Sequence, residues 1–386
     1  WVGKEAMLRD LLCHRLGFET FQGDFMYFDS DLTAKEVMEK MGKLKPKYGF
    51  RSKWGYTNSA FAVAGAVIQK ASGSSWDQYL TEKIFRPLGM DRTLALSAGI
   101  NQSTNKAAAH TVVMGELQKI PYGNIDNMAP AGSIASSAND MSKWVTALLA
   151  NGKWDGKQVI PAAAIAQTRT PHSILGNGGH PFNKAHFALY GLGWFLEEYA
   201  GRKIVAHTGG VNGFVTSVCL VPEDKLGIIV LTNTDANNFY EALRNEIEDA
   251  CLGLPYRNYS RLYLQRHRAN EQEEAKEYKK IRDSIDLHPQ SALPLSAYAG
   301  EYKHDVYGSM TMTVENNKLI MRFQHHHGRY GTLEALGGNH FYCTYSDPIY
   351  GRKKLSFTVA GNKVQSIGVE VADFIEFGSY DFKKVK

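Results

Sequence analysis

Two short groups of residues combine side chains that can do acid–base and hydrogen-bonding chemistry. The first is Tyr56-Thr57-Asn58, directly before an apolar run that predicts a helix. A phenol at a helix N-terminus feels the positive end of the helix dipole and free backbone N–H groups, which favour the phenolate. Tyr56 is therefore a candidate general base, especially beside a lysine. Asn58 either caps the helix or donates a hydrogen bond into a cleft, and a core tyrosine before an ordinary N-cap is the alternative interpretation.

The second group is His207-Thr208-Gly209-Gly210, at the end of a short strand predicted over residues 203–207. Consecutive glycines let a ligand lie along a strand edge, so Gly209 is a candidate substrate-binding residue. A backbone N–H of this stretch can form half of an oxyanion hole. Because neighbouring side chains of a strand point to opposite faces, either His207 or Thr208 lines a cleft. A strand that ends in a glycine turn is the alternative.

The order of these two groups resembles the serine β-lactamases and penicillin-recognising hydrolases. In that family S-x-x-K supplies the nucleophile and a lysine, S-D-N or Y-x-N is the second element, and K-T-G or H-T-G is the third. The resemblance covers roughly residues 1–252. Further segments similar to the family are Leu11 to Gly17, Gly73 followed by Pro87-Leu88-Gly89-Met90, Ala129-Pro130-Ala131-Gly132-Ser133, Tyr190-Gly191-Leu192-Gly193-Trp194 and residues 222–233.

The resemblance implies a role for each matching residue. Tyr56 would be the general base for acylation and would protonate the leaving group. Asn58 would hold the amide or acyl side chain of the substrate. His207 would stand in the place of the third-element lysine or histidine, beside Tyr56 and near a substrate carboxylate, and Thr208 would bond that carboxylate. The N–H of Gly210 would be one oxyanion donor, and the N–H of the nucleophile would be the other.

The chain departs from the family pattern at the nucleophile. None of the 55 residues before Tyr56 forms S-x-x-K. One match, Ser103 to Lys106, follows Tyr56 in a polar stretch, and we interpret it as a coincidence because so short a pattern is often found by chance. The nucleophile is therefore unknown within this chain. We expect that the chain is N-terminally incomplete, that no signal segment is visible for this reason, and that an upstream segment or a separate N-terminal fragment carries S-x-x-K.

The pattern of elements predicts an α/β (α+β) fold, with a β-lactamase-like antiparallel sheet flanked by helices, a helical lobe and a small all-β C-terminal domain. A helix should start near residue 58 and end at Gly73. Strands over 203–207, 214–221 and 227–232 should be consecutive in the sheet. Residues 97–133 read as a long irregular loop. The predicted parts are a hydrolase domain over 1–254, a charged, solvated helical linker over 255–292, and a β-barrel or β-sandwich over 293–386.

Composition excludes several classes of protein. Apolar residues make up 44% of the 386 residues and the net charge is +5, which excludes a disordered chain. No apolar run is long enough for a transmembrane helix, and no basic stripe favours nucleic acid. The four cysteines lie far apart, so a disulfide stays open. His325-His326-His327 suggests a metal at first sight, but strand neighbours diverge and a polar loop is the better interpretation. We predict no metal and no cofactor.

Two functions follow. The first is a serine hydrolase that forms an acyl-enzyme with an amide or ester, the substrate being a D-amino-acid peptide, a small ester or a β-lactam. Histidine in the third element favours a peptidase or esterase over a dedicated β-lactamase. The alternative is a non-catalytic pseudo-hydrolase that binds cell-wall-type ligands, which the missing S-x-x-K supports. Either way the expected partner is a small molecule or peptide, and the resemblance implies a bacterial periplasmic or extracellular location.

Overall fold

The computed structural model of the chain describes residues 3–176, 179–183 and 185–385. It divides into two compact units, each built from separate stretches of sequence. The first unit comprises Trp1–Glu19, Pro46–Val112 and Glu116–Arg268. The second unit comprises Thr20–Lys45, Val113–Gly115 and Ala269–Lys386. Among the described residues, no helix combines the length and the apolar character needed to cross a bilayer.

The described elements are helices and strands, which occur in runs along the chain. The helices are α1 (Leu8–Leu12), α2 (Asp24–Tyr27), α3 (Ala34–Met41), α4 (Asn58–Ser72), α5 (Trp76–Leu80), α6 (Arg86–Leu88), α7 (Ala129–Gly132), α8 (Ala138–Leu149), α9 (Ala162–Thr168), α10 (Phe239–Cys251), α11 (Tyr259–Asp286) and α12 (Leu295–Tyr298). The strands are β1 (Ala109–Val113), β2 (Glu116–Ile120), β3 (Lys153–Trp154), β4 (Lys157–Gln158), β5 (Ser173–Gly176), β6 (Ala188–Tyr190), β7 (Phe195–Tyr199), β8 (Arg202–Val211), β9 (Phe214–Val221), β10 (Leu226–Thr232), β11 (Gly300–His304), β12 (Gly308–Glu315), β13 (Lys318–Phe323), β14 (Tyr330–Gly337), β15 (His340–Tyr345), β16 (Arg352–Ala360), β17 (Lys363–Val369) and β18 (Tyr380–Lys384).

A six-stranded antiparallel sheet in the order β10-β9-β8-β7-β6-β5 forms the centre of the first unit. The prediction that β8, β9 and β10 are consecutive neighbours is confirmed. Both faces of the sheet are covered, because β8 and β9 carry apolar side chains on both sides. Val205 and Leu220 pack with Val145 and Leu148 of helix α8. On the opposite face, the apolar residues that pack beside α10 are Ile204, Ala206, Cys219, Val221, Ile228 and Val230.

Helix α4 begins and ends where the sequence predicts. Thr57 is the N-cap, so Asn58 occupies the first helical position rather than the cap. The helix ends at Gly73, whose φ of +77° lies in the left-handed region that glycine adopts without strain. The predicted loop over 97–133 is partly wrong, because the β1–β2 hairpin lies within it.

A closed eight-stranded barrel, β11 to β18, forms most of the second unit, which confirms the all-β tail and identifies it as a barrel. The latter half of α11 packs against this barrel, because Ile281 and Ile285 are buried with Tyr342. Helix α11 is therefore not solvated along its whole length. All four cysteines are free thiols.

The stretch Thr20–Lys45, which we call the 20–45 excursion, packs with the barrel inside the second unit. The ring of Phe25 is buried and stacks on His326 at a centroid distance of 4.5 Å. The buried carboxylate of Glu376 accepts hydrogen bonds from the N–H groups of Gly23 (2.6 Å) and Phe25 (2.9 Å) and from the Tyr307 hydroxyl (2.8 Å). One barrel side chain thus satisfies two backbone donors of the excursion.

The histidine triplet also contacts the 20–45 excursion. His325 and His327 each lie 2.7 Å from a different oxygen of Asp31. His326 is buried between them, and its Nε2–H donates to the carbonyl of Phe25 at 2.9 Å. The predicted polar loop is therefore correct for the outer two histidines only, since the middle one is a core residue.

The buried His326 predicts a loss of stability in acid. Burial lowers the pKa of His326 to about 4, whereas an unfolded histidine has a pKa of about 6.5. Between pH 6.5 and pH 4, His326 binds a proton in the unfolded chain but not in the folded chain. The unfolding free energy therefore falls as the pH drops from 6.5 towards 4. Between pH 7 and pH 4.5 we expect His326→Gln to lose less unfolding free energy than the unmodified chain, by on the order of 2 kcal/mol, measured by urea unfolding.

The matched control is His340→Gln, which removes an exposed histidine of the same barrel. It should follow the pH dependence of the unmodified chain. Equal acid losses for His326→Gln and the unmodified chain would show that His326 contributes nothing to the pH dependence.

Candidate active site

Tyr56 is positioned by a close approach of the chain one residue earlier. A Cβ on Gly55 would lie 1.9 Å from the carbonyl oxygen of Phe18, so only glycine fits there. The Thr57 hydroxyl donates to the carbonyl of Gly55 at 2.7 Å and does not cap α4. The half-buried phenol of Tyr56 therefore stands immediately before a helix N-terminus whose Thr57 side chain does not cap it.

His207 lies within a longer strand than the sequence predicts. Strand β8 continues to Val211, so the His-Thr-Gly-Gly stretch is inside the strand and not at its end. Its neighbour β7 pairs with β8 only as far as Ala206. On that side, residues 207–211 are paired with no strand among the described residues, and Thr208, Gly209 and Gly210 are exposed. This open edge presents alternate backbone N–H and C=O groups to a ligand.

The helix start and the open strand edge converge. The ring centroids of Tyr56 and His207 lie 5.9 Å apart, and the ring of His14 lies 4.3 Å from that of Tyr56. Asn58, two residues after Tyr56, is the first residue of α4, and Gly210 lies on β8 three residues beyond His207. The structure thus brings the six predicted site residues to two neighbouring segments of the first unit, while their individual roles stay predictions.

A chain of hydrogen bonds joins the two segments behind Tyr56. The N–H of Thr57 donates to Nδ1 of His14 at 2.9 Å. Nε2 of His14 lies 3.3 Å from the Tyr190 hydroxyl, which lies 3.1 Å from Nε2 of His207. Nδ1 of His207 lies 2.6 Å from the carbonyl of Thr208. This chain of hydrogen bonds therefore begins at the backbone N–H of Thr57 and ends at the backbone carbonyl of Thr208.

These two backbone groups determine which atom carries the hydrogen in each hydrogen bond of this series. An N–H can only donate, so Nδ1 of His14 is an acceptor and its Nε2 carries the hydrogen that Tyr190 accepts. A carbonyl can only accept, so Nδ1 of His207 carries its hydrogen. Burial and the neighbouring His207 lower the pKa of His14 to about 3, and burial lowers the pKa of His207. Burial raises the pKa of Tyr190 well above its usual value, so its hydroxyl stays protonated and donates to Nε2 of His207.

Aromatic side chains that the sequence analysis did not select form the walls of the site. The ring of Trp54 lies 6.2 Å from that of Tyr56, and the ring of Phe195 lies 5.1 Å from that of His207. Tyr190 appeared in the sequence only within a segment similar to the family, with no role assigned to it. The available signal was proximity: Trp54 stands two residues before Tyr56, and Phe195 follows the Tyr190 to Trp194 segment.

A cavity of about 210 Å³ lies beside His207 and Thr208. Its wall includes one guanidinium, from Arg244, and three carboxyl groups, from Glu197, Glu241 and Glu248. Burial raises the pKa of Glu197, and it raises that of Glu248 to about 7. Among the described residues that line this cavity, the carboxyl groups outnumber the cation.

The single Ser-x-x-Lys match does not form a nucleophile–lysine pair. The Lys106 ammonium donates to the carbonyl of Asn101 at 2.6 Å, and the Ser103 hydroxyl donates to the carbonyl of Asn105 at 3.3 Å. The interpretation of this match as a coincidence agrees with these contacts. Cys13 does not offer an alternative nucleophile, because it is 1% exposed and burial raises the pKa of its thiol.

The beta-lactamase family model matches residues 1–250, well over half of the chain. The chain belongs to the beta-lactamase family. Residues 286–384 match a model described as a domain of unknown function, DUF3471. The resemblance read from the motifs is therefore confirmed, as is the combination of a β-lactamase fold with a C-terminal barrel.

Individual relatives are distant. The chain is 25% identical over 362 residues to an unguisins hydrolase of Aspergillus violaceofuscus, covering 87% of this chain and 63% of the relative. It is 25% identical over 220 residues to the D-alanyl-D-alanine-carboxypeptidase/endopeptidase AmpH of Escherichia coli K12, covering 56% and 54%. The chain thus spans less than two thirds of the length of these curated relatives.

A solved structure shares the fold across nearly the whole chain. The octameric penicillin-binding protein homologue from Pyrococcus abyssi superposes with a TM-score of 0.53 and 19% identity, covering 97% of this chain and 77% of the homologue. At this level of identity the likeness concerns the fold.

Proposed function

We propose that this chain carries the second and third catalytic elements of a serine hydrolase that cleaves an amide or ester through an acyl-enzyme. The observation that carries the proposal is the placement of the Tyr56 ring beside that of His207, with 5.9 Å between the ring centroids, next to an open strand edge. The relatives named as a hydrolase and a carboxypeptidase support the reaction class. Candidate substrates are D-amino-acid peptides, small esters and β-lactams.

In the proposed reaction, the Tyr56 phenolate takes the proton of a serine hydroxyl as that oxygen attacks the carbonyl carbon. The resulting oxyanion accepts hydrogen bonds from the N–H of Gly210 and from the N–H of the serine. When the tetrahedral intermediate collapses, the bond to the leaving group breaks and Tyr56 returns its proton to that group. Water then repeats the attack on the ester with Tyr56 as base. Asn58, Thr208 and Gly209 hold the substrate.

The serine is the component that residues 1–386 do not place at the site. We propose that it lies in a Ser-x-x-Lys segment encoded upstream or held on a separate polypeptide. The proposed location, a bacterial periplasm or the extracellular space, rests on the resemblance to penicillin-recognising proteins.

A fluorescent fluorophosphonate tests this proposal, because it labels activated serines. We expect the complete gene product to be labelled and to hydrolyse p-nitrophenyl acetate, and residues 1–386 alone to do neither. Peptide mapping should place the label on a serine three residues before a lysine. A complete gene product that shows neither label nor ester turnover would contradict the hydrolase.

The second candidate is a binding module without catalysis, which the absence of a nucleophile–lysine pair at Ser103 favours. Its signature is saturable binding of muropeptide fragments, measured by calorimetry, by a gene product that fluorophosphonate does not label.

A further inference from the structure

The third-element residue of this chain differs in charge from a lysine at the same place. A lysine ammonium has three N–H donors and a positive charge that attract a substrate carboxylate. His207 has two ring nitrogens, and both are in use: Nδ1–H donates to the Thr208 carbonyl at 2.6 Å, and Nε2 accepts from Tyr190 at 3.1 Å. The imidazole therefore has no N–H directed at a ligand.

Protonation of His207 would break this arrangement. A second hydrogen, on Nε2, would face the Tyr190 hydroxyl, which would then have to act as the acceptor for His207 and for Nε2–H of His14. The Tyr190 hydrogen would lose its acceptor in a buried site, which is unfavourable. His14 cannot reverse its own direction, because its Nδ1 must accept from the Thr57 N–H. This chain of hydrogen bonds therefore favours His207 as the neutral Nδ1–H tautomer.

Among the described residues, three cations near His207 use their N–H donors within the protein. Lys203, on the same strand, donates to the carbonyl of Arg169 at 2.6 Å, and Arg202 pairs with Asp224 at 3.0 Å. Arg15 donates to the carbonyl groups of His172 and Arg51. These three cations are engaged within the protein.

Arg244 is the cation that lines the cavity beside His207, and it shares that cavity with Glu197, Glu241 and Glu248. It also donates to the side chain of Asn245 at 3.0 Å. A ligand carboxylate that reached Arg244 would compete with Glu248, Glu241 and Glu197, whose charges already favour the guanidinium. Among its described lining residues, the cavity therefore offers no uncompensated cation to an anionic group.

We propose that the site selects acyl compounds with an uncharged group next to the scissile bond, namely carboxamides and esters, and disfavours substrates that carry a carboxylate there. This excludes free C-terminal peptides and penicillins as preferred substrates and rests on the proposed function. Tyr190 and His14 are positioning residues in this scheme, because they act on the ligand only through His207.

The first test needs no turnover and uses the 386-residue chain. Histidine labelled with ¹⁵N distinguishes the two neutral tautomers by their nitrogen shifts, with the His207 signals identified from their absence in His207→Gln. We expect the Nδ1–H tautomer at pH 7 in the unmodified chain and loss of that preference in Tyr190→Phe. His207 as a cation or as the Nε2–H tautomer would overturn the proposal.

Binding then compares N-acetyl-D-alanine amide with N-acetyl-D-alanine, which differ in the terminal charge. We expect a lower Kd for the amide by about tenfold, the scale of one hydrogen bond to a charged group. In His207→Lys the preference should reverse, while Lys203→Gln, a control on the same strand, should leave it unchanged. Equal or tighter binding of the carboxylate by the unmodified chain, or no binding of either compound, would overturn the proposal.

Turnover by the complete gene product separates this inference from the proposed function. The substrates are the benzoylglycyl thioester of thioglycolic acid and its methyl ester, which share one scissile bond and differ in charge. Preference for the methyl ester supports the inference, and preference for the acid overturns it while leaving the hydrolase intact. No turnover of either thioester contradicts the hydrolase, and the tautomer and binding results then decide the inference alone.

Discussion

Tyr56→Phe in the complete gene product should lower kcat/KM for p-nitrophenyl acetate by about a thousandfold, within the range found when a general acid–base group is removed. The substitution removes one oxygen atom and keeps the ring. The contacts of that ring with His14 and His207, at 4.3 Å and 5.9 Å between centroids, should therefore persist. Acylation and deacylation should slow together, because Tyr56 moves a proton in both. Stopped-flow kinetics with the ester measures both steps.

The matched control is Tyr256→Phe, which removes a hydroxyl from a tyrosine that is 77% exposed. Its kcat/KM should equal that of the unmodified protein. Circular dichroism should show that both variants are folded. A decrease of less than about tenfold in Tyr56→Phe would remove Tyr56 from the role of general base, because such groups contribute at least about a hundredfold.

Glu376→Leu should lower the unfolding free energy by about 3–5 kcal/mol, because it leaves several buried donors without an acceptor. The donors are the N–H groups of Gly23 and Phe25 and the hydroxyl of Tyr307, each within 2.9 Å of a Glu376 oxygen. Glu376 itself is 1% exposed, so water cannot take its place without local opening. The measurement is urea unfolding followed by circular dichroism.

Two variants bracket this result. Glu376→Gln keeps one acceptor oxygen of the same shape and should lose less stability than the leucine variant. Glu315→Leu removes an exposed carboxylate of the same barrel that pairs with Arg322, and it should change the unfolding free energy by less than about 1 kcal/mol. If Glu376→Leu and Glu315→Leu unfold at the same urea concentration, the buried carboxylate does not stabilise the fold.

Local signals in the sequence predict the elements that present the site. Helix α4 begins near the predicted residue 58 and ends at Gly73, because a polar residue before an apolar run and a left-handed glycine are signals carried by a few neighbouring residues. The β-branched stretch over 214–221 predicts strand β9 with its observed bounds. The predicted end of β8 was wrong. Consecutive glycines indicate the end of a strand when only the local sequence is considered, but in the structure Gly209 and Gly210 pair with residues of β9.

The hydrogen-bond chain behind Tyr56 could not be predicted in the same way. His14, Tyr190 and His207 are far apart in the sequence, and the direction of their hydrogen bonds depends on which backbone groups lie at each end. Likewise, no local pattern indicates that the 20–45 excursion packs with a barrel more than 250 residues later in the sequence.

That excursion limits how the molecule can be rearranged. A proteolytic cut or a genetic crossover near residue 268 would divide the sequence but not the two structural units, because residues 20–45 belong to the same unit as the barrel. The buried side chains of Phe25, Met26 and Tyr27 would remain on the N-terminal fragment without the barrel. Such a fragment would be prone to aggregate. Inheritance of the tail as a detachable cassette would therefore require an exchange of residues 20–45 in the same event.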